Sequence, residues 1–277
     1  MTIGVDLGGT NVRAGIRIGD AIDAHRQVAL RDQDSLESTL GQLTDLLRPL
    51  VSEKVKGIGV AVPSIVNAEK GIVYNVVNIP SWERVELKAI LEAEFGVPVR
   101  VENDANCFAL GEHLHGKAKG HNNVVGITLG TGVGSGLILD GRIYRGKNGG
   151  AGEVGYLNYL DRDFEFYGGS FSFSELHGRS ALEVYQEARR GETKALEIWE
   201  GYGKHIGQLI KSLVYAYDPG AIVFGGSIAN AWEFFEPSMR QTITSGFHFP
   251  LSMKQLEIFR SENEHITILG ASSLLKH

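Results

Sequence analysis

Residues 3–16 read IGVDLGGTNVRAGI, and residues 125–138 read VGITLGTGVGSGLI. In each, an apolar run meets a glycine turn and resumes as a second apolar run, the pattern of strand, tight turn, strand. Laid over each other, the two share Gly4 with Gly126, Leu7 with Leu129, Gly8 with Gly130 and Ile16 with Ile138. Four such identities say little alone, because glycine hairpins resemble one another. Their positions say more. Each hairpin opens one half of the chain, which predicts a duplicated domain with one phosphate-facing turn per half. Neither turn opens a helix, so neither is the G-x-G-x-x-G of a dinucleotide fold, and no G-x-x-x-x-G-K-[ST] loop occurs.

Working outward, strands alternate with helices. Residues 21–31 complete a third strand, and leucines at helical spacing fill 34–52. VKGIGVAVP (55–63) is a strand stopped by Pro63, VELKAILEAEFG (85–96) a helix ended by glycine, and VPVRVEN (97–103) a strand that runs into the helix DANCFALGEHLHG (104–116). After the second hairpin come helices at 180–191 and 193–219, the strand AIVFGGSI (221–228), and a helix over 231–243. HITILGASSLL (265–275) is read as a final strand and helix. Such alternation argues for an α/β fold with a largely parallel sheet. The domains are expected at 1–118 plus 265–277 and at 119–264, with 115–123 as the linker.

The chain has 277 residues and a formal charge of -6, so it lacks the basic face that nucleic acid requires. Its 36 glycines, about twice ordinary usage, stand against 7 prolines and cluster in turns. That favours backbone-lined binding loops over a flexible linker. A single cysteine, Cys107, excludes an internal disulfide and a cysteine zinc site. Without a signal-like N-terminus or a membrane-length apolar run, the expected location is cytoplasmic.

DLGGTN (6–11) and LGTGVGSG (129–136) follow one logic. Glycine lets backbone N–H groups approach an anion closely, and Thr10 and Thr131 add hydroxyl donors. Asp6, at a strand end, suits Mg²⁺ held directly or through water. FGGS (224–227) is a third such turn. The tip of one strand raises its own question: VENDAN (101–106) crowds Glu102, Asn103, Asp104 and Asn106 where a helix cap needs one polar residue. Glu102, facing away along the strand, is assigned no role.

The ordered set DLGGTNVRAG, VNIPSW, VENDAN, GTGVGSG, AGEVG and FGGSI resembles the ROK family of bacterial sugar kinases and repressors, within the actin–hexokinase–Hsp70 superfamily, over almost the whole chain. The resemblance implies two ribonuclease-H-like, actin-like ATPase domains with a cleft that closes on sugar. It implies that Gly8, Gly9, Thr10, Gly130, Thr131 and Gly132 face the phosphates of ATP, and that Gly225 and Gly226 lie near the adenosine. It places Asn78, Asn103, Glu153, Tyr156 and Glu175 at the sugar and makes Asp104 the catalytic base. Amides and carboxylates satisfy the paired donors and acceptors of a polyol. Phosphoryl transfer to a hydroxyl needs a carboxylate to accept its proton, and Asp104 is ionised at neutral pH. Either Asn103 or Asp104 can cap the helix while the other serves the reaction.

Two departures from the family stand out. Tyr156 replaces a histidine that, in relatives, helps hold zinc and touches the sugar. FYGGSFSF (166–173) places Phe166, Gly168 and Phe173 where zinc-binding cysteines are expected. The chain therefore resembles a zinc-less member, with Phe166 and Phe173 packing the loop. His177 is a candidate to line the sugar site, and Trp82 either stacks on sugar or simply packs. The expected function is ATP- and Mg²⁺-dependent phosphorylation of a hexose or N-acetylhexosamine, by a protein free to form a homodimer. The alternative is a sugar sensor or transcriptional regulator with weak or no kinase activity. The family's regulators add a helix-turn-helix ahead of the first glycine turn, and here that turn follows Asp6 directly.

Overall fold

A computed structural model describes residues 1–76 and 78–276; Val77, which opens the VNIPSW segment, and His277 lie outside the described residues. In chain order the strands and helices are β1 (Thr2–Leu7), β2 (Asn11–Ile18), β3 (Ala21–Ala29), α1 (Leu36–Leu47), β4 (Ile58–Val62), β5 (Ile65–Asn67), β6 (Ile72–Tyr74), β7 (Arg84–Val85), α2 (Leu87–Phe95), β8 (Val99–Asn103) and α3 (Asp104–His115). Then follow β9 (Val124–Leu129), β10 (Val133–Leu139), β11 (Arg142–Ile143), β12 (Asn158–Tyr159), β13 (Arg162–Asp163), α4 (Phe164–Gly168), α5 (Phe171–His177), α6 (Ala181–Arg189), α7 (Thr193–Tyr217), β14 (Ala221–Gly225), α8 (Trp232–Thr244), α9 (Pro250–Gln255), β15 (Glu257–Arg260) and α10 (Ile266–Ser273).

The chain divides into two compact units, one of residues 1–120, 136–151 and 262–277, the other of residues 121–135 and 152–261. One five-stranded sheet has the order β3-β2-β1-β4-β8 and another the order β11-β10-β9-β14-β15. The two orders follow one plan, an antiparallel pair leading into parallel strands. β1 pairs antiparallel with β2 and parallel with β4, and β14 pairs parallel with both β9 and β15. The duplication read from the two hairpins is thus expressed in strand order.

In the first unit, β1 and β4 are buried along their middle residues, as parallel strands covered on both faces must be. Gly4 and Gly59 lie opposite each other across the β1–β4 pair. Helix α10 presses its backbone onto both: a Cβ at Gly4 would fall 2.0 Å from the Ile268 carbonyl oxygen, and one at Gly59 would fall 1.8 Å from that of Ala271. On its other side α10 meets α3, where a Cβ at Gly270 would fall 1.8 Å from the Cys107 carbonyl oxygen. The strand expected at the start of HITILGASSLL is therefore wrong. Ile266, Thr267 and Ile268 have the branching of a strand but form a helix buried on nearly every side, and the last strand is the short EIFR at 257–260.

In the second unit, α7 packs on α8 through Gly203 and Gly207, each of which leaves no room for a side chain against α8. Phe173, Trp199, Tyr202 and Phe235 form the aromatic centre of this unit, with Phe173 and Trp199 ring centroids 4.8 Å apart. Phe173 thus packs as its sequence position suggested. Phe166 is half-buried, with the Arg162 guanidinium 4.5 Å from its ring centre.

Gly59→Ala is expected to destabilise by about 1–3 kcal/mol, because the obstructing atoms are backbone. Gly41→Ala, in α1 with open space around its Cβ, should instead stabilise by about 0.5–1 kcal/mol. Urea unfolding of the two variants checks both signs. A pH test follows from His115, at the end of α3. Its Nδ1 bonds Asp20 at 2.8 Å and its Nε2 lies 2.9 Å from Ser273 Oγ. Burial holds its pKa below the ordinary value; the Asp20 bond opposes this, and Arg17 and Lys119 reinforce it. The unfolded chain then takes up the proton first, at about pH 6.5, so this contribution is present above that pH and lost as pH falls. Unfolding midpoints should drop between about pH 7 and 5, and less steeply in His115→Gln.

Candidate active site

In the first unit the glycine turn closes as Gly8 N–H donates to the Asn11 carbonyl at 2.8 Å, and Leu30 N–H donates to the Thr10 carbonyl at 2.9 Å. Gly9 is required by proximity: a Cβ there would fall 2.2 Å from Cβ of Asn78. Its backbone is not left-handed, nor is that of Gly8. The DLGGT turn and Asn78, from segments far apart in sequence, are thus in contact. Asp6 lies opposite Arg13 in the β1–β2 register, and the two form an ion pair.

Asp6, Ala61 and Glu102 stand level across β1, β4 and β8. Glu102, given no role from sequence, is the hub of VENDAN. Only 2% exposed, it accepts from Asn103 N–H at 2.9 Å, from Asn106 Nδ2 at 3.0 Å and from Arg145 Nε. Asn103 is the N-cap of α3: its Oδ1 accepts from Asn106 N–H at 3.0 Å, while its Nδ2 donates to the Ser64 carbonyl at 3.3 Å. Asp104, half-buried, is the first residue of the helix, and its Oδ1 accepts from Ala105 N–H at 2.8 Å. So the amide caps, and the adjacent carboxylate is left at the head of the helix.

Cys107, fully buried one turn in, reports on these charges. Burial pushes its thiol far up, and the carboxylates of Glu102, Asp104 and Asp6 push it further. The strand-end acid of the glycine turn and Asp104 therefore share one neighbourhood. Trp82 is fully buried and donates to Thr39 Oγ1 at 2.8 Å, which makes it a packing residue.

In the second unit the GTG turn is held by Ser170, whose N–H lies 3.0 Å from the Gly130 carbonyl and 3.1 Å from that of Thr131. Gly226 has φ 87° and abuts the end of β9, where a Cβ would fall 2.2 Å from the Leu129 carbonyl oxygen. Gly225 pairs with Thr128. The FGGS and GTG turns are thus neighbours.

Below the GTG turn sits Glu165. It accepts from Val133 N–H at 2.6 Å, and a Cβ at Gly132 would fall 2.0 Å from its Oε1. Burial raises the Glu153 carboxyl, and Glu165 raises it further. The Tyr156 hydroxyl is pushed up chiefly by Glu165, then by burial and by Glu153 and Asp163. Glu153, Tyr156 and Glu165 therefore form one polar cluster beside a glycine turn. Glu175 is half-exposed on α5, 3.7 Å from Arg162. Glu165 was the acid missed. Its signal was an acid ahead of the double glycine in FEFYGG, a stretch read only for its aromatics. His177, with Phe173, Tyr202 and His205, lines a 340 Å³ hollow whose walls include none of Gly130–Gly132, Glu153, Tyr156 or Glu165.

Comparison with known proteins fits this arrangement. The ROK family model matches residues 2–169 and 172–277. A glucokinase from Streptomyces coelicolor is 29% identical over 87% of this chain and 86% of its own. An N-acetyl-D-glucosamine kinase from Vibrio cholerae is 29% identical over 83% and 85%. The crystal structure of a ROK family glucokinase from Streptomyces griseus, in complex with glucose and AMPPNP, has a TM-score of 0.83 at 24% identity and covers 99% of this chain and 98% of that one. The likeness to that structure carries the fold, and the family match spans both units: this chain belongs to the ROK family.

Proposed function

We propose that the chain is a sugar kinase that transfers the γ-phosphoryl group of ATP to a hydroxyl of a hexose or N-acetylhexosamine, with Asp104 as general base. The observation that carries this is the placing of Asp104 at the head of α3, on a β8 end anchored by Glu102 and level with Asp6 of the glycine turn. The activities of the glucokinase and N-acetylglucosamine kinase relatives support the substrate class.

The sugar oxygen attacks the γ-phosphorus as its proton passes to Asp104. The bond from phosphorus to the β,γ-bridging oxygen breaks, and ADP leaves. The first unit supplies the base, the Gly8–Thr10 donors to phosphate, and Asn78 and Asn103 for sugar hydroxyls. Both heteroatoms of the Asn103 amide already hold protein partners, so its sugar contact uses the second lone pair or the second proton. The second unit supplies Gly130–Gly132 for phosphate, Gly225 and Gly226 beside the adenosine, and Glu153 with Tyr156. Glu165 adds a further carboxylate beside the GTG turn, and Glu175 keeps the sugar role that the family resemblance implies. Mg²⁺ fits Asp6 through water rather than directly, because Arg13 already neutralises that carboxylate; it would offset the charge of the phosphates.

A coupled ADP-release assay over aldohexoses, ketohexoses and N-acetylhexosamines tests the reading. Turnover on one class is expected. Silence on every sugar, with sugar binding retained, would favour a sensor built on the same fold. Asp104→Asn should keep sugar affinity and lower kcat by about 10²–10⁴; turnover near wild type would remove Asp104 from its role. Glu102→Gln should cost about 1–3 kcal/mol of stability by weakening the Arg145 bond. It should also reduce kcat more than it raises KM, since the group it displaces is the base.

A further inference from the structure

Outside the groups assigned to chemistry, one side chain in the first unit joins the phosphate turn to the sugar segment. Gln33 Nε2 donates to the Gly9 carbonyl at 2.5 Å. The Gln33 carbonyl in turn accepts from Ser81 Oγ at 2.7 Å and from Ser81 N–H at 3.3 Å. Ser81 lies three residues beyond Asn78. Successive turns, Ile79 N–H to the Val76 carbonyl at 2.9 Å and Trp82 N–H to the Ile79 carbonyl at 2.8 Å, tie this stretch together, with Ile79 and Trp82 fully buried.

The bridge is anchored from behind. Arg31, two residues before Gln33, exchanges two hydrogen bonds with Gln42 of α1, at 2.9 and 2.8 Å. Asp32 takes φ 50°, and its carbonyl accepts from Ser35 N–H at 2.9 Å. Gln33 thus projects from a fixed turn. It holds the Gly9 carbonyl with its side chain and the Ser81 end of the sugar segment with its main chain. The contact of Gly9 with Asn78 closes the loop.

We propose that Gln33 is a positioning residue that couples the two substrates: sugar binding at Asn78 sets the Gly8–Thr10 turn for the nucleotide through Ser81 and Gln33, an inference that rests on the kinase function proposed above. Gln33 touches neither substrate. Coupling of this kind is reciprocal, so the sugar raises nucleotide affinity by the factor by which the nucleotide raises sugar affinity.

The test is a binding cycle on the full chain. AMPPNP with Mg²⁺ is titrated by calorimetry in the absence and presence of saturating sugar, glucose or N-acetylglucosamine, whichever the protein phosphorylates, and the sugar is titrated with and without AMPPNP. Wild type should show the same enhancement from both sides, about fivefold or more. Gln33→Met keeps the length of the side chain and adds no charge but cannot donate to the Gly9 carbonyl. It should bring the factor close to one while affinity for each ligand alone and the melting temperature are retained. Ser81→Ala, which removes the 2.7 Å bond, should lower the factor partway. In kinetics, the KM for ATP in Gln33→Met should no longer fall as sugar is raised. A purely structural role would lower the melting temperature or weaken both ligands equally without changing the factor, and would overturn the proposal. So would an unchanged factor in both variants, or a wild-type factor of one with turnover intact, which would leave the kinase function standing. Failure of wild type to phosphorylate any sugar would remove both together.

Discussion

Helix α10 lies where it does because glycines clear its path on two sides. Gly4 and Gly59 let it touch the β1–β4 backbone, and Gly270 of its own sequence lets it touch α3. A side chain at Gly4 or Gly59 would run into the α10 backbone and push the helix outward. Helix α3 rests on α10, so the head of α3 inherits that position. Asp104 is the head of α3. Glycine in this unit therefore acts in two ways: at Gly9 it admits a neighbouring side chain to a binding turn, and under α10 it fixes the height of the helix layer above the sheet.

Much of this was legible in the sequence because it is local. The paired hairpins, the glycine stop of α2 at Gly96, where φ is 65°, and the strand-to-helix step in VENDAN all follow from short-range rules. What was missed depends on partners distant in sequence. Glu102 does face away from Asn103, as alternation along a strand demands. That far face is also buried, and Arg145 from another segment, together with Asn103 N–H and Asn106 Nδ2, makes a carboxylate tolerable there. Glu165 and Glu175 are both acids in the same stretch. The folding of α4 back under the GTG turn is what brings Glu165 to that turn. HITIL misled because branched residues serve equally well in a strand or in a helix buried all round, and periodicity cannot tell the two apart.

The two five-stranded sheets use one strand plan for different ends. The first concentrates its acids at the ends of β1 and β8, beside a helix N-terminus. The second concentrates glycine: the GTG and FGGS turns adjoin at the ends of β9 and β14, and a carboxylate occupies the space left by a missing Cβ. Where relatives are expected to carry cysteines around a metal, this chain carries Phe166, Gly168 and Phe173, and the latter joins Trp199, Tyr202 and Phe235 in a packed aromatic centre.

The position of α10 also bears on how the protein is made. Its residues leave the ribosome long after β1 and β4, yet those strands keep a glycine-floored channel that only α10 fills. The first unit thus departs from the usual order, in which the N-terminal domain folds first during synthesis. Until residues 266–273 emerge, the nascent sheet exposes one face of β1 and β4. Transiently exposed apolar surface of this kind favours aggregation, and truncations that spare every binding residue but remove α10 should accumulate as insoluble protein.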